Sequence, residues 1–119
     1  MIELSNEWKR IDLGDGANIE IKALDLRSYH RVLAFMMPYM STGGLDKDAA
    51  KQIMLDLELP NILESVVPTH ARSVQGITVD GKEISVQEFI KQGKLLIQNI
   101  TVLSELLSYS SLTDNEEKN

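Results

Sequence analysis

The chain has 119 residues, 43% of them hydrophobic, no cysteine and a formal net charge of −6. That length suits one domain with a core of its own, and the missing thiols exclude disulfides, thiolate nucleophiles and cysteine-ligated zinc. The acid excess argues against nonspecific binding of nucleic acid, which needs a basic face, and no apolar stretch approaches the ~18 residues of a membrane helix.

Trp8-Lys9-Arg10-Ile11-Asp12-Leu13 and Asn18-Ile19-Glu20-Ile21-Lys22-Ala23-Leu24 read as two strands around Gly14-Asp15-Gly16. A two-residue loop at Asp15-Gly16 would set Ile11 against Glu20 and mix the faces. A three-residue loop pairs Leu13 with Ala17, Ile11 with Ile19 and Lys9 with Ile21, so the apolar groups share one face. The expectation is therefore a type I turn with Gly16 in a G1 bulge.

Asp25 is placed to cap a helix over 26–37, with Leu26, Tyr29, Leu33, Met36, Met37 and Met40 near one stripe. Pro38 should end or kink it. Ser41-Thr42-Gly43-Gly44 reads as the most flexible internal loop. Asp46 then caps a helix over 47–59, with Ala49, Ala50, Ile53, Met54 and Leu57 as its apolar side. Pro60 is expected to break that helix. Asn61, with Glu64 three residues on, restarts a short one over 62–67, which Pro68 stops. Residues 69–75 read as loop running into strand.

Asp80-Gly81 is the dipeptide of a type I′ turn. It pairs Val79 with Lys82 and Ile77 with Ile84. Ser85 and Glu88 form a capping box, with Ile84 and Phe89 as its hydrophobic staple. The helix they open runs to about residue 92, and Gly93 reads as its C′ glycine. The last helix spans 94–109, with Leu96, Ile100, Leu103 and Leu107 as its core stripe. Leu95, Val102 and Leu106 broaden the stripe to a second side, which is either well buried or holding a partner. The fold expected is α+β and mostly helical: an N-terminal β-hairpin, central helices, a second short β-hairpin and a C-terminal helical pair. Residues 1–109 form the single domain and 110–119 a flexible acidic tail.

Little here carries chemistry. Neither His30 nor His70 has a second histidine or a carboxylate at ligand spacing, so no metal site is expected. There is no Gly-x-Ser-x-Gly elbow and no phosphate loop. The reading is of a non-enzyme with no catalytic residue, no cofactor and no metal. Acid is concentrated at 35–68, with five acidic against two basic side chains, and at 110–119, with three against one. This is the pattern of a solvated surface, or of a flank that keeps a sticky partner soluble. Phe35-Met36-Met37-Pro38-Tyr39-Met40 sets three methionines and two aromatics in six residues. Flexible methionines suit hydrophobic partner contacts, although a Met stripe at helical spacing is more often plain core. The candidate partner-binding residues are Met36, Met37, Tyr39, Met40, Leu95, Val102 and Leu106.

The Trp8-led hairpin, the helix opened by Asp25-Leu26-Arg27-Ser28-Tyr29, and the run Val74-Gln75-Gly76-Ile77-Thr78-Val79-Asp80-Gly81-Lys82-Glu83-Ile84 come in a telling order. An apolar helix then leads into Ser111-Leu112-Thr113-Asp114-Asn115-Glu116-Glu117-Lys118-Asn119. The arrangement resembles the tail assembly chaperones of long-tailed bacteriophages and prophages. The resemblance implies a non-enzymatic binding protein of the host bacterial cytoplasm, which keeps the hydrophobic, helical tape measure protein soluble during tail morphogenesis. The N-terminal Met1-Ile2-Glu3-Leu4-Ser5, with no basic segment before an apolar run, fits that location. Neither nucleic acid nor membrane is an expected partner, and a homo-oligomer is compatible with the wide apolar face of the last helix. The alternatives are a structural tail or head-to-tail connector component, or a small protein-binding regulator.

Overall fold

The computed structural model describes residues 1–4, 6–40 and 46–111. Its fold is α+β and mostly helical, with two small antiparallel sheets. The first hairpin joins β1 (Lys9–Gly14) to β2 (Ala17–Ile21). Ile11 faces Ile19 and Lys9 faces Ile21, as one shared apolar face requires. The turn differs from the three-residue loop expected. Asp15 and Gly16 both take positive φ, 53° and 76°, the requirement of a two-residue type I′ turn. The odd residue is absorbed in the strand instead. The register shifts between Asp12 and Gly14, so that Gly14 rather than Leu13 opposes Ala17. The Asp12 carboxylate accepts from the Gly14 N–H at 2.9 Å and holds this bulge.

The second edge of β2 pairs with β3 (Ala71–Gln75), giving the strand order β1-β2-β3. Ile11, Ile19, Ile21, Ala71 and Val74 turn inward to the core. The outer face is polar. Glu20 pairs with Arg10 at 3.4 Å and with Arg72 at 3.2 Å. The Trp8 ring carries the Arg72 guanidinium at 4.1 Å and the Lys22 ammonium at 5.4 Å. Gly76, just past β3, crosses the first turn so closely that an added Cβ would strike the Gly16 carbonyl oxygen and lie 2.9 Å from Ala17 Cα.

Asp25 caps α1 (Leu26–Met36) by accepting from the Ser28 N–H at 2.7 Å. The apolar stripe is rotated from the one expected. Val32, Phe35 and Met36 are the buried positions, while Leu26 and Met37 are exposed. The reason is tertiary, since α1 packs against two other helices, α3 (Leu59–His70) and α5 (Leu96–Ser110). Pro38 ends α1 as expected, and the chain tightens into a 3₁₀ turn, Met37–Tyr39. The expected Ser41–Gly44 loop lies outside the described residues.

Asp46 caps α2 (Lys47–Leu55) through the Ala49 N–H at 2.8 Å. This helix stops four residues earlier than expected. The Asp56 side chain accepts from the Glu58 N–H at 2.9 Å, a local turn that competes with the helix. Leu57, expected in the core, is thrown out to solvent. Pro60 does not break a helix but sits in the first turn of α3, where no N–H is needed. Asn61 is therefore not a cap. Nor does Pro68 stop α3, which continues to His70. It sits in the final turn, where the Thr69 hydroxyl donates to the Val66 carbonyl at 3.2 Å.

The second hairpin, β4 (Thr78–Val79) with β5 (Lys82–Glu83), pairs Val79 with Lys82 as expected, and Asp80 and Gly81 take φ of 52° and 81°. Ser85 caps α4 (Val86–Phe89) through the Glu88 N–H at 3.2 Å, and Ile84 and Phe89 are buried beside it. Gly93 is not a left-handed C′ residue. It opens a 3₁₀ turn, Gly93–Leu95, that leads into α5. Val102 and Leu106 are fully buried, each stabilising the fold by about 1.5–3 kcal/mol. Ser110, the last residue of α5, and Ser111, which caps it, were read from the sequence as tail but are held by the fold. The Ser110 hydroxyl accepts from the Leu24 N–H at 2.8 Å, and Ser111 Oγ lies 3.0 Å from the Tyr29 hydroxyl. Residues 112–119 lie outside the described residues.

Candidate functional site

Tyr39 and Asp56 tie together the surface that carries three of the candidate residues, Met37, Tyr39 and Met40. The 3₁₀ turn after α1 carries Tyr39, whose ring lies 6.2 Å from that of Phe35. Its hydroxyl donates to Asp56 Oδ2 at 2.6 Å and ties this turn to the C-terminus of α2. The bond holds the Asp56 carboxyl below its ordinary range, helped by the Glu58 N–H and opposed by desolvation. The Tyr39 phenol is held above its ordinary value chiefly by the same bond, then by desolvation and the carboxylate charge.

Met37 and Met40 neighbour Tyr39 in the chain, Leu55 and Leu57 neighbour Asp56, and all four face solvent: Met37 at 58% exposure, Met40 at 42%, Leu55 at 81% and Leu57 at 91%. Exposed apolar groups on one surface mark protein interaction sites more often than single exposed residues do. The acidic side chains of Asp56 and Glu58 stand among them. What the cluster can offer a ligand is apolar contact area on flexible side chains, rimmed by negative charge.

The seven residues proposed from sequence divide between core and surface. Met36, Val102 and Leu106 are inside the core and present no surface to a partner, because α1 and α5 pack their broad apolar sides on each other and on α3. Tyr39 and Leu95 are half-buried, and Leu95 stands in the 3₁₀ turn at the start of the last helix. Met37 and Met40 remain on the surface, together with the two leucines that sequence reasoning placed elsewhere. The signal for these was Asp56 itself, a turn-forming residue three positions before a helix start with Pro60 in its first turn.

Comparison with family models, with curated proteins and with solved structures returned no match.

His70 stands in a separate polar cleft of about 350 Å³ with Asn6, Lys22 and Asp25. Its Nδ1 lies 2.8 Å from the Val66 carbonyl and 2.8 Å from the Thr69 hydroxyl. A carbonyl only accepts, so Nδ1 carries the hydrogen and Nε2 is bare in the neutral ring. Nε2 lies 3.9 Å from Asp25 Oδ2, beyond hydrogen-bond reach, and the other oxygen of Asp25 caps α1. Ser28 therefore dominates the lowering of the Asp25 carboxyl, with a smaller pull from His70. The pair brackets the start of α1 against the end of α3. His30 is exposed. Among the described residues no three of His, Cys, Asp or Glu are grouped to hold a metal ion, and no helix is long and apolar enough to cross a membrane.

Proposed function

We propose that the chain is a non-enzymatic assembly factor of the tail assembly chaperone kind, which holds a hydrophobic helical segment of a tape measure protein during phage tail morphogenesis. The single observation that carries this reading is the exposed apolar cluster of Met37, Met40, Leu55 and Leu57 around the Tyr39–Asp56 bond. Its physics is that of helix-in-groove recognition, in which an amphipathic helix lays apolar anchors on a hydrophobic surface. Methionines let that surface adapt to successive segments of a long, irregular partner. The acidic rim selects for a partner whose apolar stripe is bordered by Lys or Arg, and steers the encounter in a salt-dependent way.

Co-expression with a phage tape measure protein tests the reading. The expected outcome is that the partner moves from the pellet to the soluble fraction and co-purifies with the chain. A partner that stays insoluble, with the chain free and folded, contradicts it.

A further inference from the structure

The cleft that holds His70 carries an acceptor the fold itself does not use. It runs from the end of β2 to the start of α1, beside the last turn of α3, and Ala23 and Leu24 line it together with Asn6, Lys22 and Asp25. The His70 side chain is 7% exposed. Its Nδ1 hydrogen is turned back into α3, onto the Val66 carbonyl at 2.8 Å, so the Nε2 lone pair leaves the other side of the ring. That side faces Asp25, a cleft-wall residue with a 68% exposed side chain, whose Oδ2 is 3.9 Å from Nε2. Among the described residues Nε2 has no hydrogen-bond partner. It still touches solvent, because the unpartnered side-chain atom that is sealed from water there is Asn99 Oδ1. Asp25 Oδ1 is committed to the Ser28 N–H, which leaves Oδ2 for a ligand. With the ring neutral, two acceptors, one of them charged, face each other with no hydrogen between them.

We infer that this cleft is a binding site for a primary ammonium group, delivered by a lysine side chain of a protein partner. A nitrogen about 2.9 Å from both acceptors sees them roughly 85° apart, within the bend that two N–H bonds tolerate. An ammonium supplies those two hydrogens and the positive charge that matches Asp25. The lysine stem is thin and apolar, and Ala23 and Leu24 offer it contact. Arginine fits less well, since its fork suits a carboxylate with both oxygens open, and one oxygen of Asp25 is taken. An anion would meet the Asp25 carboxylate and the Nε2 lone pair. Lys22 shares the wall, but its own ammonium is engaged over the Trp8 ring at 5.4 Å.

The inference rests on the reading of the chain as a protein-binding factor for the source of the lysine, but its test uses no tape measure protein. The full-length chain is titrated with Nα-acetyl-lysine N-methylamide, with its Nζ-trimethylated form, which keeps the charge but has no N–H at that end, and with n-butylammonium. The nitrogen shifts of the His70 ring are followed by NMR at a pH where the spectrum shows the ring neutral. The free chain is expected to carry the hydrogen on Nδ1. The lysine probe is expected to move Nε2 upfield, saturably, with a Kd on the order of 1–10 mM. It should bind at least about tenfold more tightly than the trimethylated probe. In Asp25→Asn the amide oxygen keeps the cap and the amide nitrogen turns an N–H toward Nε2, so this variant is expected to fold and to lose the response. The comparison of probes on the wild-type chain stands whether or not the variant folds. A hydrogen on Nε2 in the free chain, equal binding of the trimethylated probe, a full response in Asp25→Asn, or no response to any probe would each overturn the inference. Binding of n-butylammonium without binding of the lysine probe would overturn the partner lysine as the source. A failure here leaves the Met37–Leu57 surface untouched, and a failure of partner solubilisation leaves the ammonium result standing.

Discussion

At Gly76 a single hydrogen atom is all the fold permits. The residue has φ of +79°, and the position of a Cβ is already taken by the backbone of the first hairpin turn. Gly76→Ala therefore combines an unfavourable left-handed conformation with a clash against backbone that no rotamer can relieve. A loss of about 2–3 kcal/mol is expected, read as a lower urea midpoint with an unchanged slope. Asp25 is a second residue with a measurable signature. The Ser28 N–H holds its carboxyl below the ordinary value, so the folded state binds fewer protons than the unfolded chain. Its contribution is complete above about pH 4 and is lost as the pH falls through the folded value. Asp25→Asn keeps an oxygen acceptor for the cap but removes the titration. The acid limb of the stability profile, followed by circular dichroism in urea, should flatten in this variant. Residues of this local kind were the most legible in the sequence. The caps at Asp25, Asp46 and Ser85 and the Asp80-Gly81 turn depend on neighbours three or four positions away, and nothing distant overrides them.

Elements were legible where one local rule governed and obscure where two competed. Ile11 opposite Ile19 follows from keeping apolar groups on one face, yet the same register is reached by a longer loop or by a strand bulge. The Asp12–Gly14 hydrogen bond favours the bulge. Pro60 satisfies both the rule that proline breaks helices and the rule that proline opens them. The Asp56 side-chain turn decides between the two by ending α2 first. The stripe of α1 was ambiguous because apolar residues occupy two adjacent faces, and contact with α3 and α5 selects Val32, Phe35 and Met36. The Tyr39–Asp56 bond joins two elements that sequence cannot pair. With the phenol raised and the carboxyl lowered, the bond is complete between about pH 4 and about pH 10. It is lost as acid passes the folded Asp56 value or as base passes the folded Tyr39 value. Tyr39→Phe should speed amide hydrogen exchange across α2 at neutral pH while exchange in α5 stays unchanged. Equal exchange in α2 would mean that the bond does not anchor the helix.

For the whole molecule, the division of apolar residues between core and surface carries the functional argument. The last helix, whose breadth of apolar side chains pointed to a partner, spends that breadth on the core: Val102, Leu103 and Leu106 are fully buried. Part of the apolar surface left over lies at the end of α2 and in the turn after α1, where the helix ends and a tyrosine–aspartate bond leave Met37, Met40, Leu55 and Leu57 facing solvent. That juxtaposition depends on residues 15 to 20 positions apart in the chain, so neither periodicity nor composition could announce it. The most direct test of the account replaces both exposed leucines, Leu55→Lys with Leu57→Lys. Exposed positions away from the core change stability by within about 0.5 kcal/mol, so the variant should unfold at nearly the wild-type urea midpoint. Co-expressed with a phage tape measure protein, it should leave that partner in the pellet, where the wild-type chain is expected to bring it into solution. A double variant that keeps the partner soluble as well as the wild type does would contradict the account.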